Sequence, residues 1–315
     1  MRRIGLLLIA SAAFAQSPPA PLAFEVATVK PSPPLDLDAV RAGTAHMGTK
    51  IDASRVDIGE ASLFRLICTA YRLRPYQLSG PAWLRTTMYD VQAKLPAGVA
   101  ADKLPEMLRT LLTERFALKT HRETKDQPVY ALVVEPGGIK MKASAPEPPP
   151  PALPPGAPKP VETSLLSLEG NVKIVRTAQG ATVEMPDGEI SGKLRVTPVG
   201  GAAQATRLHL ESSGTTMKSF AAMLSVGVVD RPVVDKTGLT GAYEVALDIS
   251  FEDMWNAAGR AMNARPGGPV GAGAPAPPDS IIFQSIGNLG LKLEPRKLPL
   301  ELLVVDRAEK TPTAN

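Results

Sequence analysis

The spacing of apolar residues repeats within the chain, and that repeat restricts the fold more than any other feature. Leu63, Leu66, Ile67, Ala70 and Tyr71 recur at the period of an amphipathic helix, with Ser62 placed to cap its start. Tyr89, Val91, Ala93 and Leu95 then alternate as a half-buried strand does. Farther along, Met217, Phe220, Ala221 and Leu224 form a second helical stripe behind Thr215 or Thr216. Tyr243, Val245, Leu247 and Ile249 form a second alternating strand. Tyr89 stands 26 residues after Leu63 (89 − 63), and Tyr243 stands 26 after Met217 (243 − 217).

The later parts of the two halves correspond as well. Leu104, Met107, Leu108, Leu111, Leu112 and Phe116 make one apolar helix face, and Ile281, Ile282, Ile286 and Leu289 make its shorter counterpart. Phe116-Ala117-Leu118-Lys119 matches Leu289-Gly290-Leu291-Lys292. A second pair of strand-like runs, Pro128 to Val134 and Pro299 to Val305, each follows a proline read as opening the strand. Leading strands precede the first helices at Val56-Asp57-Ile58 and Leu208-His209-Leu210. The predicted fold class is therefore α+β: two repeated β-α-β-β-α-β-β units, with helices packed on mostly antiparallel sheets. A unit of about 80–90 residues is marginal alone. The halves are thus expected either to share apolar surface through helix faces or sheet edges, or to form two bodies with a loose interface.

Composition sets the boundaries. Residues 1–15 read as a secretory signal. Arg2 and Arg3 precede an apolar run from Ile4 to Ala10, and Ala13-Phe14-Ala15 has the small-x-small form of a cleavage site, placing the mature start near Gln16. The apolar run is well short of the ~20 residues of a membrane-spanning helix. Residues 16–142 form the first repeat with an N-terminal strand. Residues 143–205 comprise a proline-rich linker, dense in proline over 143–160, and a hairpin in which Val183-Glu184-Met185 and Glu189-Ile190-Ser191 flank Pro186-Asp187-Gly188. Residues 206–315 form the second repeat, interrupted by a Gly/Pro-rich loop at 257–278 that lengthens the offset between halves by about 20 residues, an insertion of low cost in a loop.

Loss of the leader lowers the formal charge from +4 to about +2, and the sequence contains no Lys/Arg block interleaved with aromatics, so nucleic acid is not an expected partner. One cysteine, Cys68, excludes an internal disulfide, and its neighbours Leu66, Ile67 and Ala70 mark it as a buried small hydrophobe. An aromatic content of 4% is too low for a platform that stacks bases or sugars.

Catalysis has few candidates. The histidines are His46, His121 and His209, and the chain has neither a Gly-x-Ser-x-Gly elbow nor a His-Glu-x-x-His helix. Lys236-Thr237-Gly238 matches one element of penicillin-binding enzymes, but the Ser-x-x-Lys and Ser-Asp-Asn elements are missing. Asp235 to Gly241 reads as a turn. His121 and Glu123 suit one strand face without a third metal ligand nearby. Asp248, Glu252 and Asp253 read as a solvated acidic strand end. Catalytic, cofactor-binding and metal-binding residues are accordingly all assigned as none. Tyr76, Trp83, His121, Arg122, Arg231, Asp235 and Lys236 are the residues to inspect for partner contact.

Several motifs occur in order along the chain: Phe24 to Ser32, Tyr76-Gln77-Leu78-Ser79-Gly80-Pro81-Ala82-Trp83-Leu84, Tyr89 to Lys94, Arg115-Phe116 with His121 to Lys125, Pro128 to Leu132, Arg231 to Gly238, and Leu302 to Asp306 with Lys310 and Pro312. Together they resemble a soil-associated acidobacterial family of exported proteins built on a domain of unknown function. The resemblance implies export and transfers no catalytic residues. Similar domains occur fused to membrane-bound sensor peptidases of the antibiotic-receptor type, which implies a sensing or binding part here. The order of elements also resembles, in shape alone, the short N-terminal domains of secretins and TonB-dependent receptors. The function expected is a non-enzymatic, periplasmic or extracellular module that binds a protein, peptide or envelope component. The alternatives are an exported hydrolase with an unrecognised site and a structural envelope protein.

Overall fold

The computed structural model describes residues 21–34, 38, 46, 48–52, 54–144, 161–167, 170–177, 180–185, 192–200, 206–225, 228–252 and 280–313. The expected leader, the linker from residue 145 to 160 and the loop at 257–278 lie outside the described residues. In chain order the elements begin with β1 (Val26–Pro31), β2 (Gly48–Ile51), β3 (Arg55–Ser62), α1 (Leu63–Tyr71), β4 (Leu78–Ser79), α2 (Trp83–Thr86), β5 (Met88–Lys94), α3 (Leu104–Phe116) and β6 (Lys119–Val134). Next come β7 (Val161–Ser167), β8 (Gly170–Thr177), β9 (Gly180–Met185) and β10 (Gly192–Val199). The last are β11 (Arg207–Thr216), α4 (Met217–Leu224), β12 (Val233–Asp235), β13 (Ala242–Ser250), α5 (Ile281–Asn288) and β14 (Leu291–Arg307).

Local chemistry explains where the helices start and stop. Ser62 Oγ accepts from Arg65 N at 3.2 Å, and Thr216 Oγ1 accepts from Ser219 N at 3.2 Å, so each first turn has one orphan donor satisfied. Each preceding strand carries a bulge, between Ile58 and Ala61 in β3 and between Ser212 and Thr215 in β11. The left-handed residues Glu60 (φ 48°) and Gly214 (φ 68°) lie in those bulges. α3 ends at Ala117 (φ 47°), whose N–H bonds Leu112 O. The matching position after α5 is Gly290 (φ 74°), where a Cβ would fall 2.1 Å from Gly138 O; only glycine fits there.

Three sheets result, with strand orders β1-β5-β3-β2, β12-β6-β14-β4 and β13-β11-β10-β9-β8-β7. All pairs are antiparallel except β12 with β6 and β14 with β4. The architecture is thus mixed α and β, mostly antiparallel, with few helices. Buried side chains fall into two cores. In the first, α1 and α3 cover Val56, Ile58, Tyr89 and Val91 of the first sheet. In the second, α4 and α5 lie on Leu210, Val245, Leu247 and Ile249. Full burial of one such aliphatic side chain stabilises by about 1.5–3 kcal/mol.

The β6–β14 ribbon joins these cores. Its pairing runs without interruption from Leu291↔Val134 to Val304↔His121. Leu291 and Leu293 sit in the second core with Tyr130 and Leu132, while Leu303 and Val305 sit in the first. This corrects the expectation of two closing strands per half: each expected pair is one strand, of 16 residues in β6 and 17 in β14. Pro128 and Pro299 lie in mid-strand and open nothing. Glu135 N bonds Gly290 O within the ribbon, whereas Tyr130 N bonds Pro232 O on the far side. By that alternation the ring nitrogens of Pro128, Pro295 and Pro299 all face away from the partner strand, so no ladder bond is lost.

Residues 161–199, assigned from sequence to the linker and one hairpin, supply the four strands β7 to β10 of the six-stranded sheet. The expected turn and second hairpin strand, Pro186 to Ser191, lie outside the described residues; Gly192 pairs with Met185.

Candidate functional site

The segment around Arg231 builds a buried polar cluster. The side chains of Asp230 and Arg231 are 1% and 8% exposed, and Arg231 Nη2 and Nε bond Asp230 Oδ2 at 3.0 and 3.2 Å. Tyr130 donates its hydroxyl to Asp230 Oδ1 at 3.2 Å, and the guanidinium lies 5.0 Å from the Tyr130 ring centroid. The cluster fixes the chain as it enters β12. At the β12 edge, Ser225 Oγ, just past α4, accepts from Val233 N at 2.8 Å. The Lys-Thr-Gly element is a side-chain-capped turn: Asp235 Oδ1 accepts from Thr237 N and Oγ1 at 2.9 and 2.8 Å, and Gly238 has φ 72°. Asp230 and Tyr130 were not among the candidates from sequence. The signal available was a charged pair wedged between Val228-Val229 and Pro232-Val233-Val234.

Each histidine meets a carboxylate from another segment. His46 Nε2 lies 2.7 Å from Asp57 Oδ1, and its Nδ1 lies 3.7 Å from Asp90 Oδ2. Asp90 Oδ1 also accepts from Ser32 Oγ at 2.6 Å and from Glu60 N at 3.0 Å. Burial pushes the Asp90 carboxyl up, but the bonds from Ser32 and Glu60 and the nearby imidazole outweigh it, leaving its pKa below the ordinary value. His121 Nδ1 is 2.7 Å from Asp306 Oδ1 across the ribbon, beside the Arg122–Glu301 pair. His209 Nδ1 is 2.7 Å from Asp248 Oδ1, and its Nε2 is 3.5 Å from Glu211 Oε1. The bond to Asp248 raises the His209 pKa above its usual 6.5 against a smaller opposing effect of burial. Asp248 therefore stands within β13, paired opposite His209, and not in an acidic strand end; Asp253 lies outside the described residues. A hydrolytic triad places a hydroxyl on the imidazole. In the His46 cluster the hydroxyl bonds the carboxylate instead. Among the described residues, no group of three or more His, Cys, Asp or Glu side chains stands where it could hold a metal ion.

The residues singled out for partner contact fall into two groups at opposite edges of the β12-β6-β14-β4 sheet. Tyr76, in a 3-10 turn, and Trp83, at the start of α2, flank β4, and both are half-buried. β4 pairs with Leu303 and Val304, which pair in turn with Arg122 and His121. Arg231, Asp235 and Lys236 belong to the β12 edge, where Arg231 is buried and Lys236 exposed. The structure thus does not bring the seven together. Cys68 is 1% exposed, and burial pushes its thiol up to about 12, which leaves it inert.

A surface depression of about 220 Å³ lies elsewhere, lined by Phe24, Val26, Ala27, Leu111, Glu114 and Arg115. It runs between the start of β1 and the end of α3. Its volume is below the ~300 Å³ at which pockets for small molecules begin. Sequence reasoning missed it because it depends on which strand ends a sheet.

No helix among the described residues is long and apolar enough to cross a membrane. No curated protein matches the chain, and no solved structure does. Residues 65–308 match the family model described as Protein of unknown function (DUF3738). That span runs from α1 to the end of β14 and takes in the second core, most of the first and the ribbon between them, so the chain belongs to the DUF3738 family.

Proposed function

We propose that this protein is an exported, non-enzymatic binding or sensing module, periplasmic or extracellular, built from two copies of one βαββαβ unit. The observation that carries the reading is the exchange of strands between the halves. β4 of the first half pairs in parallel with β14 of the second, and β12 of the second pairs in parallel with β6 of the first. Matching features support the duplication: bulged strands, hydroxyl-capped helices, and left-handed residues at Glu60 and Gly214 and at Ala117 and Gly290. A two-fold relation between β6 and β14 would centre on the Asp126↔Pro299 pair, in mid-ribbon. Exchange makes the halves one assembly that presents a preorganised surface, the property that lowers the cost of binding. The closing strands are also where the expected β-α-β-β-α-β-β unit gives way to a βαββαβ unit with one long final strand.

Placement of the polar groups agrees with this reading, because the imidazoles fasten segments to one another through aspartates. Arg2, Arg3 and the apolar run to Ala10 support export. The test is cross-linking of the tagged mature chain in envelope extract of the producing cells. A recurrent protein, peptide or envelope partner is expected, together with a mature N-terminus at Gln16. Repeated recovery of the protein alone, or covalent labelling of one residue by a hydrolase probe, would overturn the proposal.

A further inference from the structure

The free edge of β1 determines what kind of ligand could dock beside the depression. Ser32 N donates to Met88 O, and the register pairs Lys30 with Asp90 and Thr28 with Gln92. Even-numbered residues of β1 therefore bond toward β5, and the N–H and C=O groups of Ala27 and Val29 point outward. Pro31, which has no N–H, takes the next outward position, as proline does on an edge strand. Among the described residues no strand pairs with that side. Val26 is 57% exposed on the face turned from the core. On the other face, the small side chain of Ala27 leaves the space that Leu111, Glu114 and Arg115 border.

We propose that β1 captures an extended peptide of a second protein as a fifth strand of its sheet, with one apolar side chain of the peptide seated in the depression. This deepens the binding reading and rests on it. Unpaired main-chain donors and acceptors recognise another extended backbone, and alternate side chains of an added strand fall on one face, here the face of the depression. Its volume suits a side chain and not a whole small molecule. At the rim Glu25 is paired with Lys94 at 2.8 Å and Arg115 donates to Thr313 O at 3.4 Å, so the exposed Glu114 is the carboxylate that favours Lys or Arg beside the peptide's apolar residue. The pairing is short, because Pro31 limits it to the stretch around Ala27 and Val29.

The probe is a fluorescein-labelled heptapeptide with a central leucine, flanking valines and terminal lysines, titrated with the mature chain and followed by fluorescence anisotropy. Saturable binding is expected. Loss of one main-chain hydrogen bond should weaken it about tenfold. That loss can be made in the peptide, by N-methylation of its edge-facing amides, or in the protein, by Val29→Pro. Glu114→Lys, at an exposed site, should weaken it several-fold at low salt and less at high salt. Equal binding by the N-methylated peptide, or binding unaffected by both substitutions, overturns the β1 proposal while leaving the wider binding reading intact. No saturable binding by the peptide also overturns it. Self-association that Val29→Pro abolishes, without peptide binding, would assign the edge to a second copy of the chain and overturn it too. Failure of the envelope cross-linking is the separate result that would remove the wider reading.

Discussion

Replacing Asp230 by alanine should be among the most damaging single changes in this chain. The carboxylate is 1% exposed, takes two bonds from the Arg231 guanidinium, and accepts the Tyr130 hydroxyl. Removing one partner of a buried ion pair costs about 3–5 kcal/mol, because the remaining charge stays in a medium that solvates it poorly. At a denaturant slope of about 3 kcal/mol/M, the urea midpoint should fall by roughly 1–1.7 M. Tyr130→Phe removes the hydroxyl bond to Asp230, and should cost about 1 kcal/mol. Combining Asp230→Ala with Arg231→Met removes both charges and should recover part of the loss, making the double variant more stable than Asp230→Ala alone. Urea unfolding followed by circular dichroism measures five proteins: the native chain, Asp230→Ala, Tyr130→Phe, Arg231→Met and the double variant. A loss below about 1 kcal/mol for Asp230→Ala, or a double variant that loses the sum of the two single changes, would refute the account of this cluster as a neutralised buried pair.

Three further perturbations test other parts of the framework. Ser62→Ala and Thr216→Ala should each cost about 1 kcal/mol in chemical unfolding, and their effects should add, since each caps a helix in a different core. The raised His209 pKa means that its contribution is fully present below pH 6.5 and lost as pH rises through the folded-state value. Melting temperature measured across that range should therefore fall more steeply for the native chain than for His209→Gln, by a small margin because the pair is partly solvent-screened. Cys68, on the buried face of α1, should resist a thiol reagent at pH 8 in the folded protein and react with one equivalent in denaturant; rapid labelling of the folded protein would contradict its placement.

How far the sequence discloses this structure depends on the range of the interactions involved. α1 and α4 were legible because one local stripe and one hydroxyl cap specify each, and β5 and β13 because alternation over a few residues marks a half-buried strand. The ribbon was not. Its middle passes between the two cores, so Thr124, Lys125, Asp126, Arg296 and Lys297 are exposed and break the alternation that would have joined its ends. The prolines there look like strand openers, and they are compatible with a continuous strand only because their nitrogens face outward, a fact that follows from pairing with residues more than 150 positions away. Sheet edges have the same character. Nothing in Val26 to Pro31 distinguishes an end strand from a central one except Pro31, and no local pattern places α3 beside it. The polar clusters divide similarly. Asp235 and Thr237 make their bonds within a few residues and read as a turn at once. Asp230 and Tyr130 lie 100 residues apart, and His121 and Asp306 lie 185 apart. Side chains whose role depends on meeting a distant strand leave no periodic mark, and in this chain those are the ones that hold the two halves together and that border the β1 edge.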